Sequence, residues 1–137
     1  MDELDRYFHQ QVGQDVRKRV TPCFVAREIA TGVVAGYYTL SAGSVRLCEL
    51  PDGLARRLPR YPAAPVALLG RLAVAAGFRK RGLGEAMLWH AAETARRSEV
   101  AVIALVVDAE DDAVASFYRQ HEFIDFGTGG RTLILPL

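Results

Sequence analysis

The sequence predicts a single α/β domain, residues 1–137, built on a mixed and mostly antiparallel sheet with a central βαβ unit flanked by helices. Two apolar runs predict the centre of that sheet, "VALLGRLAV" (Val66–Val74) and "VAVIALVV" (Val100–Val107). Runs of this kind are typical of strands covered on both faces. A glycine-containing loop and an amphipathic segment join them, which indicates a right-handed strand–helix–strand crossover.

The segments before the crossover predict a helix, a hairpin and an irregular loop. Apolar residues recur every four positions across residues 3–19, which predicts an amphipathic helix (Leu4, Phe8, Val12, Val16). The run "CFVAREIATGVVAGYYTLS" predicts an antiparallel hairpin around a turn at Ala30–Gly32. Four prolines between Leu50 and Pro65 indicate a loop with a short helical piece near Leu54–Leu58. Gly70 is a candidate bulge within the first central strand.

The later segments predict two helices and a terminal hairpin. After a loop at Ala75–Gly82, a helix begins near Leu83 or Gly84, with an apolar stripe and with Trp89 and His90 on its other side (stripe Leu83, Met87, Ala91, Ala95). The second central strand ends at Asp108. Either Asp108 or Asp111 is placed to cap a second helix, which carries four residues on one side (Ala113, Val114, Phe117, His121). The segments "FIDF" and "RTLILPL" predict a hairpin about Gly127–Gly130.

Composition bounds the class of protein. Half of the residues are apolar and 24% are charged, which is ordinary for a globular protein. No apolar run approaches the ~20 residues that span a bilayer, so no membrane segment is expected. The charged start "MDELDRYFHQQ" lacks the apolar block of a signal peptide, which predicts a cytoplasmic protein. The two cysteines, Cys23 and Cys48, show no zinc-binding spacing, and no metal site is expected.

The cations are nearly all arginine, and several are clustered. The net charge is only +1, yet 15 of the 17 basic residues are arginine, and they gather at Arg56–Arg60, Arg79–Arg81 and Arg96–Arg97. Arginine suits phosphate because its planar fork binds two oxygens at once. A genome rich in arginine codons explains the same excess, and both readings stay open.

One cluster coincides with a glycine motif, Arg79-Lys80-Arg81-Gly82-Leu83-Gly84, between a strand and a helix. A helix start exposes N–H groups and the positive end of its dipole, and glycines let the main chain approach a phosphate closely. No Lys-Ser or Lys-Thr follows Gly84, which excludes a P-loop, and no third glycine completes a dinucleotide fingerprint. A diphosphate site and a capped turn both remain consistent with the spacing.

The motif R-x-x-G-x-G after an apolar strand resembles the coenzyme A pyrophosphate loop of the GNAT family of N-acetyltransferases. Downstream, Phe117-Tyr118-Arg119-Gln120-His121-Glu122-Phe123 resembles the family's F-Y-x-x-x-G-F, with Glu122 in place of the glycine. The segments "VAGYYTLSAGSV", "YPAAPVALLGRLAV", "FYRQHEF" and "RTLILPL" together resemble the acetyltransferase toxins of type II toxin–antitoxin pairs, over Leu4–Leu137. Two departures are Ala75, where these toxins usually have Asp, and the family's N-terminal strand, which has no counterpart before "MDELDRYF".

The resemblance implies a fold, an activity and partners. It implies a single-domain GNAT fold that transfers acetyl from acetyl-CoA to the α-amine of aminoacyl-tRNA and so blocks translation. It also implies a ribbon-helix-helix antitoxin as a partner, and a homodimer. Tyr118 matches the family's general acid. The residues that match the family's acetyl-CoA contacts are Leu72, Ala73, Val74, Arg79, Arg81, Gly82, Leu83, Gly84, Glu85 and, with helix capping as its alternative role, Asp111.

The chemistry of the acceptor amine is constrained by the residues themselves. The run "VALLGRLAV" contains no Asp, Glu or His that could remove a proton from the amine. At pH 7.4 a lysine side chain of pKa about 10.4 is neutral about one time in a thousand, whereas an α-amine of pKa about 7.7 is neutral about a third of the time. An α-amine acceptor is therefore favoured.

Several functions remain consistent with the sequence. The first is acetylation of aminoacyl-tRNA, the second is acetylation of a small amine or a protein N-terminus, and the third is a non-catalytic acyl-CoA-binding module. Under the first, the arginine clusters would follow an acceptor-stem backbone. The candidate RNA contacts are Arg56, Arg57, Arg60, Arg71, Lys80, Arg96 and Arg97.

Overall fold

A computed structural model describes residues 22–56, 62–127 and 129–137 of the chain. The predicted helix at residues 3–19 lies outside these ranges. The described strands are β1 (Cys23–Arg27), β2 (Val34–Arg46), β3 (Ala63–Val74), β4 (Ala104–Asp108), β5 (Ile124–Asp125) and β6 (Thr132–Pro136). The described helices are α1 (Asp52–Ala55), α2 (Leu83–Arg96) and α3 (Asp112–Gln120). The six strands form one mixed sheet in the order β1-β2-β3-β4-β6-β5. The strands β3 and β4, which α2 connects, are therefore neighbours.

Residues 22–41 and 69–94 of the described chain form one compact unit. The predicted hairpin is confirmed: β1 pairs antiparallel with β2 from Cys23↔Thr39 onward, and the turn places Gly32 at φ +74°. Gly36 is required where it stands, because a Cβ there would lie 2.7 Å from the Ala73 carbonyl oxygen and 2.8 Å from Met87 Cε. This close approach lets β2 pack tightly against both β3 and α2.

Residues 42–56, 62–68, 95–127 and 129–137 form the second unit. The predicted terminal hairpin is confirmed, and β6 pairs antiparallel with both β4 and β5. The start of β4 lies beside β3, where Ile103 N–H donates to the Pro65 carbonyl at 3.0 Å. The core of this unit is a cluster of nine buried side chains: Val45, Leu50, Leu54, Ala64, Val66, Ala104, Val106, Phe126 and Ile134.

Some predicted boundaries are wrong. The strand β3 begins at Ala63 rather than Val66, and β4 begins at Ala104 rather than Val100. The described helix α1 covers Asp52–Ala55, and residues 57–58 of the predicted helical piece lie outside the described residues. Val100 is 73% exposed and is therefore unlike a core strand residue. The helix α3 turns Ala115 and Tyr118 into the core, while Val114, Phe117 and His121 are half-buried and Ala113 is exposed.

Candidate active site

The backbone of the glycine loop leaves the N-terminus of the following helix open to an anion. After β3 ends at Val74, the Ala75 N–H donates to the Ala35 carbonyl at 2.8 Å, which fixes where the chain leaves the sheet. Lys80 and Gly82 then take left-handed conformations, at φ +63° and +79°. The helix α2 begins at Leu83, as predicted. Because the first N–H groups of a helix lack intrahelical acceptors, this entry has donors and positive dipole available for phosphate oxygens.

Three cations border this entry, and two are held by local contacts. Arg79, Lys80 and Arg81 are all exposed. Arg79 Nε donates to the Val74 carbonyl at 3.3 Å. The Arg81 guanidinium lies over the Phe78 ring, 5.3 Å from its centroid, in a cation–π arrangement. The loop therefore combines main-chain donors with side-chain charge, which is the chemistry of a diphosphate site.

A cleft of about 350 Å³ opens beside this loop, and sequence reasoning did not find it. Its walls include three residues from the loop and three from the end of β1 and the turn after it (Phe78, Arg81, Gly82; Ala26, Arg27, Glu28). The two groups are at least fifty positions apart in the sequence, so no local motif joins them. Ala26, Leu83 and Ala86 also line a second hollow of about 310 Å³.

An aromatic cluster lines the second hollow. Tyr38 hydroxyl and His90 Nδ1 lie 2.5 Å apart, and the Phe24 ring stacks on Tyr38 with centroids at 4.8 Å. Burial raises the pKa of Tyr38, and its hydrogen bond with Thr94 partly offsets that rise. His90 is exposed on the outer side of α2, as predicted, but its partner Tyr38 on β2 was not foreseen from the sequence.

Tyr118, the predicted general acid, is buried in the second unit, at 3% exposure. Its ring contacts Phe117 and Phe123, with centroids at 5.3 and 5.1 Å. Burial raises the pKa of this phenol well above its ordinary value, and the negative charge of Glu110 raises it further. Tyr118 is therefore protonated throughout the physiological range and is a hydrogen-bond donor.

The way α3 ends accounts for the contact between the rings of Tyr118 and Phe123. Phe123 N–H donates to the Tyr118 carbonyl at 3.2 Å, and Glu122 N–H donates to the Arg119 carbonyl at 3.3 Å. These are the two bonds of a Schellman motif, which requires a left-handed residue after the helix and brings the flanking apolar side chains together. Glu122 occupies the left-handed position at φ +72°, where the family has glycine. The Phe123 ring packs on Tyr118 as a result and holds its orientation.

Asp111 is the residue that caps α3. Its Oδ1 accepts a hydrogen bond from the Val114 N–H at 2.9 Å, in the manner of an N-cap. Asp108, the other candidate, instead accepts from the Thr132 hydroxyl at 2.6 Å. Capping, which the sequence left as one of two roles for Asp111, is thus observed, and its contact with pantetheine stays a prediction.

The remaining predicted contacts differ in their exposure. Leu72, Ala73 and Val74 are half-buried at the end of β3, as are Leu83 and Gly84 at the start of α2, while Glu85 is exposed in its first turn. Among the candidate RNA contacts, Arg71 is half-buried and the other described members are exposed (Arg56, Lys80, Arg96, Arg97). Arg57 and Arg60 lie outside the described residues.

In the ranges 22–56, 62–127 and 129–137, no group of three or more His, Cys, Asp or Glu is placed to hold a metal ion. Within those same ranges, no helix is both long enough and apolar enough to cross a membrane.

The mixed sheet and the glycine loop at the start of the crossover helix agree with the family match, and together they identify an acetyl-CoA-dependent N-acetyltransferase. The chain belongs to the acetyltransferase (GNAT) family, whose profile matches residues 2–123, and its acetyl donor is acetyl-CoA. A protein of Mycobacterium tuberculosis (strain ATCC 25618 / H37Rv) called "tRNA-acetylating toxin" is 31% identical over 122 residues, which cover 88% of this chain and 71% of that protein.

Two solved structures show the same fold at lower identity. A tyrosine-to-phenylalanine mutant of KacT has a TM-score of 0.88 at 23% identity, covering 97% of this chain and 81% of that one. AtaT complexed with acetyl-methionyl-tRNAfMet has a TM-score of 0.87 at 23% identity, with the same coverage of 97% and 81%. The predicted GNAT fold is confirmed.

Proposed function

We propose that this protein transfers the acetyl group of acetyl-CoA to the α-amine of aminoacyl-tRNA and so blocks translation. The observation that carries the proposal is the absence of a base from β3: Ala63–Val74 contains no Asp, Glu or His. Its 31% identical relative is called a tRNA-acetylating toxin, and the similar AtaT was solved with an acetylated aminoacyl-tRNA. The chemistry of the strand and the names of the relatives thus support the same acceptor.

The acceptor follows from the protonation of amines. A nucleophilic amine must be neutral, and β3 supplies no group to remove a proton from an ammonium ion. An α-amine of pKa about 7.7 is substantially neutral near pH 7.4, and a lysine side chain of pKa about 10.4 is not. The esterified amino acid of a charged tRNA carries such an α-amine, so it needs no assistance before attack.

Tyr118 acts at the departure of the thiolate. The amine nitrogen attacks the thioester carbonyl carbon, the C–S bond breaks with its electron pair passing to sulfur, and the phenol of Tyr118 donates a proton to that sulfur. The amine gives up one proton as the amide forms, and this proton restores Tyr118. The pKa of a phenol, about 10, already exceeds that of a thiol, about 8.5, and burial raises the pKa of Tyr118 further. Tyr118 therefore holds its proton until negative charge develops on sulfur.

The exposed cations supply the RNA contact in this proposal. Lys80, Arg96 and Arg97 face solvent and would pair with phosphates of the acceptor stem, together with Arg56 and Arg71. Each lost phosphate contact would weaken binding and reduce its dependence on salt. A ribbon-helix-helix antitoxin, a homodimer and a cytoplasmic location complete the proposal. AtaT has been solved bound to the C-terminus of the antitoxin AtaR, which supports an antitoxin partner.

The decisive assay supplies labelled acetyl-CoA to a pool of charged tRNA and measures label in N-acetyl-aminoacyl-tRNA. Removal of the proton donor in Tyr118→Phe is expected to lower the rate about 10²–10⁴-fold, the usual contribution of general-acid catalysis. The matched control is Tyr38→Phe, which removes another buried hydroxyl and is expected to retain the rate. A full rate in Tyr118→Phe would contradict the role of this residue.

The alternative acceptors are a small amine and a protein N-terminus. A protein N-terminus also carries an α-amine of pKa about 7.7, so the base-free strand favours it equally. Label on peptide N-termini or polyamines, with none on charged tRNA, would replace the proposed substrate by one of these.

A further inference from the structure

The cleft beside the glycine loop has a cationic wall that the loop motif does not account for. Arg27 lies at the end of β1 and Arg81 lies in the loop, and both line this cleft of about 350 Å³ together with Gly82. The two arginines thus come from distant parts of the sequence to line one hollow next to the helix entry. Two arginines lining one hollow favour an anion with several oxygens.

The pairing of β1 with β2 is irregular beside Arg27. Ala26 faces Gly36 whereas Arg27 faces Val34, so β2 carries one extra residue, Ala35, at this point. Ala35 lines the cleft, as do the consecutive residues Ala26, Arg27 and Glu28. The cleft therefore lies where the hairpin is bulged.

The cleft carries the negative charge of Glu28 against the positive charges of its two arginines, and one arginine is held in place. Glu28 Oε1 accepts a hydrogen bond from the Thr31 hydroxyl at 2.8 Å, which ties this carboxylate to the turn. Arg81 lies over the Phe78 ring, 5.3 Å from its centroid. The floor of the cleft is apolar and includes Phe78 and Leu83. An anionic group attached to a flat apolar ring system matches such a lining.

We infer that Arg27 and Arg81 bind the 3′-phosphate of the adenosine half of acetyl-CoA, while the loop and the start of α2 bind its pyrophosphate. The inference rests on acetyl-CoA as the donor and names a second phosphate subsite for it. The two phosphate groups of coenzyme A are carried by one ribose, so a pyrophosphate at Gly82 brings the 3′-phosphate to a neighbouring position. Arg27 and Gly82 line the same cleft, so this cleft lies next to the position proposed for the pyrophosphate.

The experiment compares acetyl-CoA with acetyl-3′-dephospho-CoA, which lacks only the phosphate in question. Affinities are measured by calorimetry without tRNA, for the wild-type protein and for Arg27→Gln. Loss of one charge-assisted contact is expected to weaken binding about tenfold. The wild type should therefore prefer acetyl-CoA at least about tenfold. Arg27→Gln, which keeps only Arg81 at this phosphate, should lose about tenfold of that preference, with its affinity for the dephospho form unchanged.

The control variant is Arg46→Gln, an exposed arginine on β2 that does not line the cleft. It should keep the tenfold preference, and thermal unfolding should show that both variants are folded. Equal affinity of the wild type for both donors would overturn the inference, as would an undiminished preference in Arg27→Gln. A cofactor preference that depends on Arg27 would stand even if charged tRNA proved not to be the acceptor, so the two failures are distinct.

Discussion

Glu122 holds a left-handed backbone position that glycine would occupy at lower cost, so Glu122→Gly is expected to stabilise the protein. At φ +72° a residue with a Cβ is strained by roughly 1–2 kcal/mol. The greater freedom of glycine in the unfolded chain offsets roughly 0.5–1 kcal/mol of that gain. The net expectation is an increase of about 0.5–1 kcal/mol in the free energy of unfolding.

Thermal and urea unfolding measure this gain. For a chain of 137 residues the unfolding entropy is about 0.3 kcal/mol per degree, so Tm should rise by about 2–4 °C. The matched control is Glu122→Ala, which removes the same carboxylate but keeps the Cβ, and should change Tm by less than about 1 °C. An equal gain in both variants would show that charge, not backbone strain, is responsible, and no gain in Glu122→Gly would refute the reasoning.

Two further predictions concern packing and titration. Gly36→Ala should destabilise the fold by about 2 kcal/mol in urea unfolding, because its Cβ would lie 2.7 Å from the Ala73 carbonyl oxygen, whereas Gly53→Ala, with no atom within 4 Å, should be neutral or stabilising. Equal effects would contradict the close approach of β2 and β3. Since burial raises the pKa of Tyr118 in the folded state, its contribution to stability is complete below the unfolded value of about 10 and is lost as pH rises above it. Tyr118→Phe should therefore flatten the fall of unfolding free energy between pH 10 and 11.5 by up to about 1.4 kcal/mol per pH unit; an unchanged slope would contradict the raised pKa.

The sequence predicted best where a local pattern determines a local structure. The start of α2 at Leu83, the turn at Gly32 and the terminal hairpin follow from glycines and short-range periodicity. The sequence did not identify which side of α3 faces the core, because Phe117 and Tyr118 are adjacent and both aromatic. In the structure Tyr118 is buried in the core, and Phe117 is half-buried.

Features that depend on contacts distant in sequence were not predictable in this way. Arg27 has no motif of its own, and only the fold of the β1–β2 hairpin brings it to the same cleft as Arg81. The pairing of Tyr38 with His90 also joins residues on separate elements. The residue types in one sequence do not specify contacts between distant segments. The R-x-x-G-x-G spacing, in contrast, is local and predicts the loop that contains it.

Two different groups of Tyr118 serve the fold and the proposed reaction. Its carbonyl oxygen holds the end of α3 through the Phe123 N–H, while its hydroxyl is the group proposed to act on sulfur. A single oxygen atom could thus be lost from the side chain without loosening the helix. A chain with phenylalanine at this position would remain a folded competitor for acetyl-CoA and for any protein partner, so a harmful activity could be silenced in one step while its binding surfaces persist.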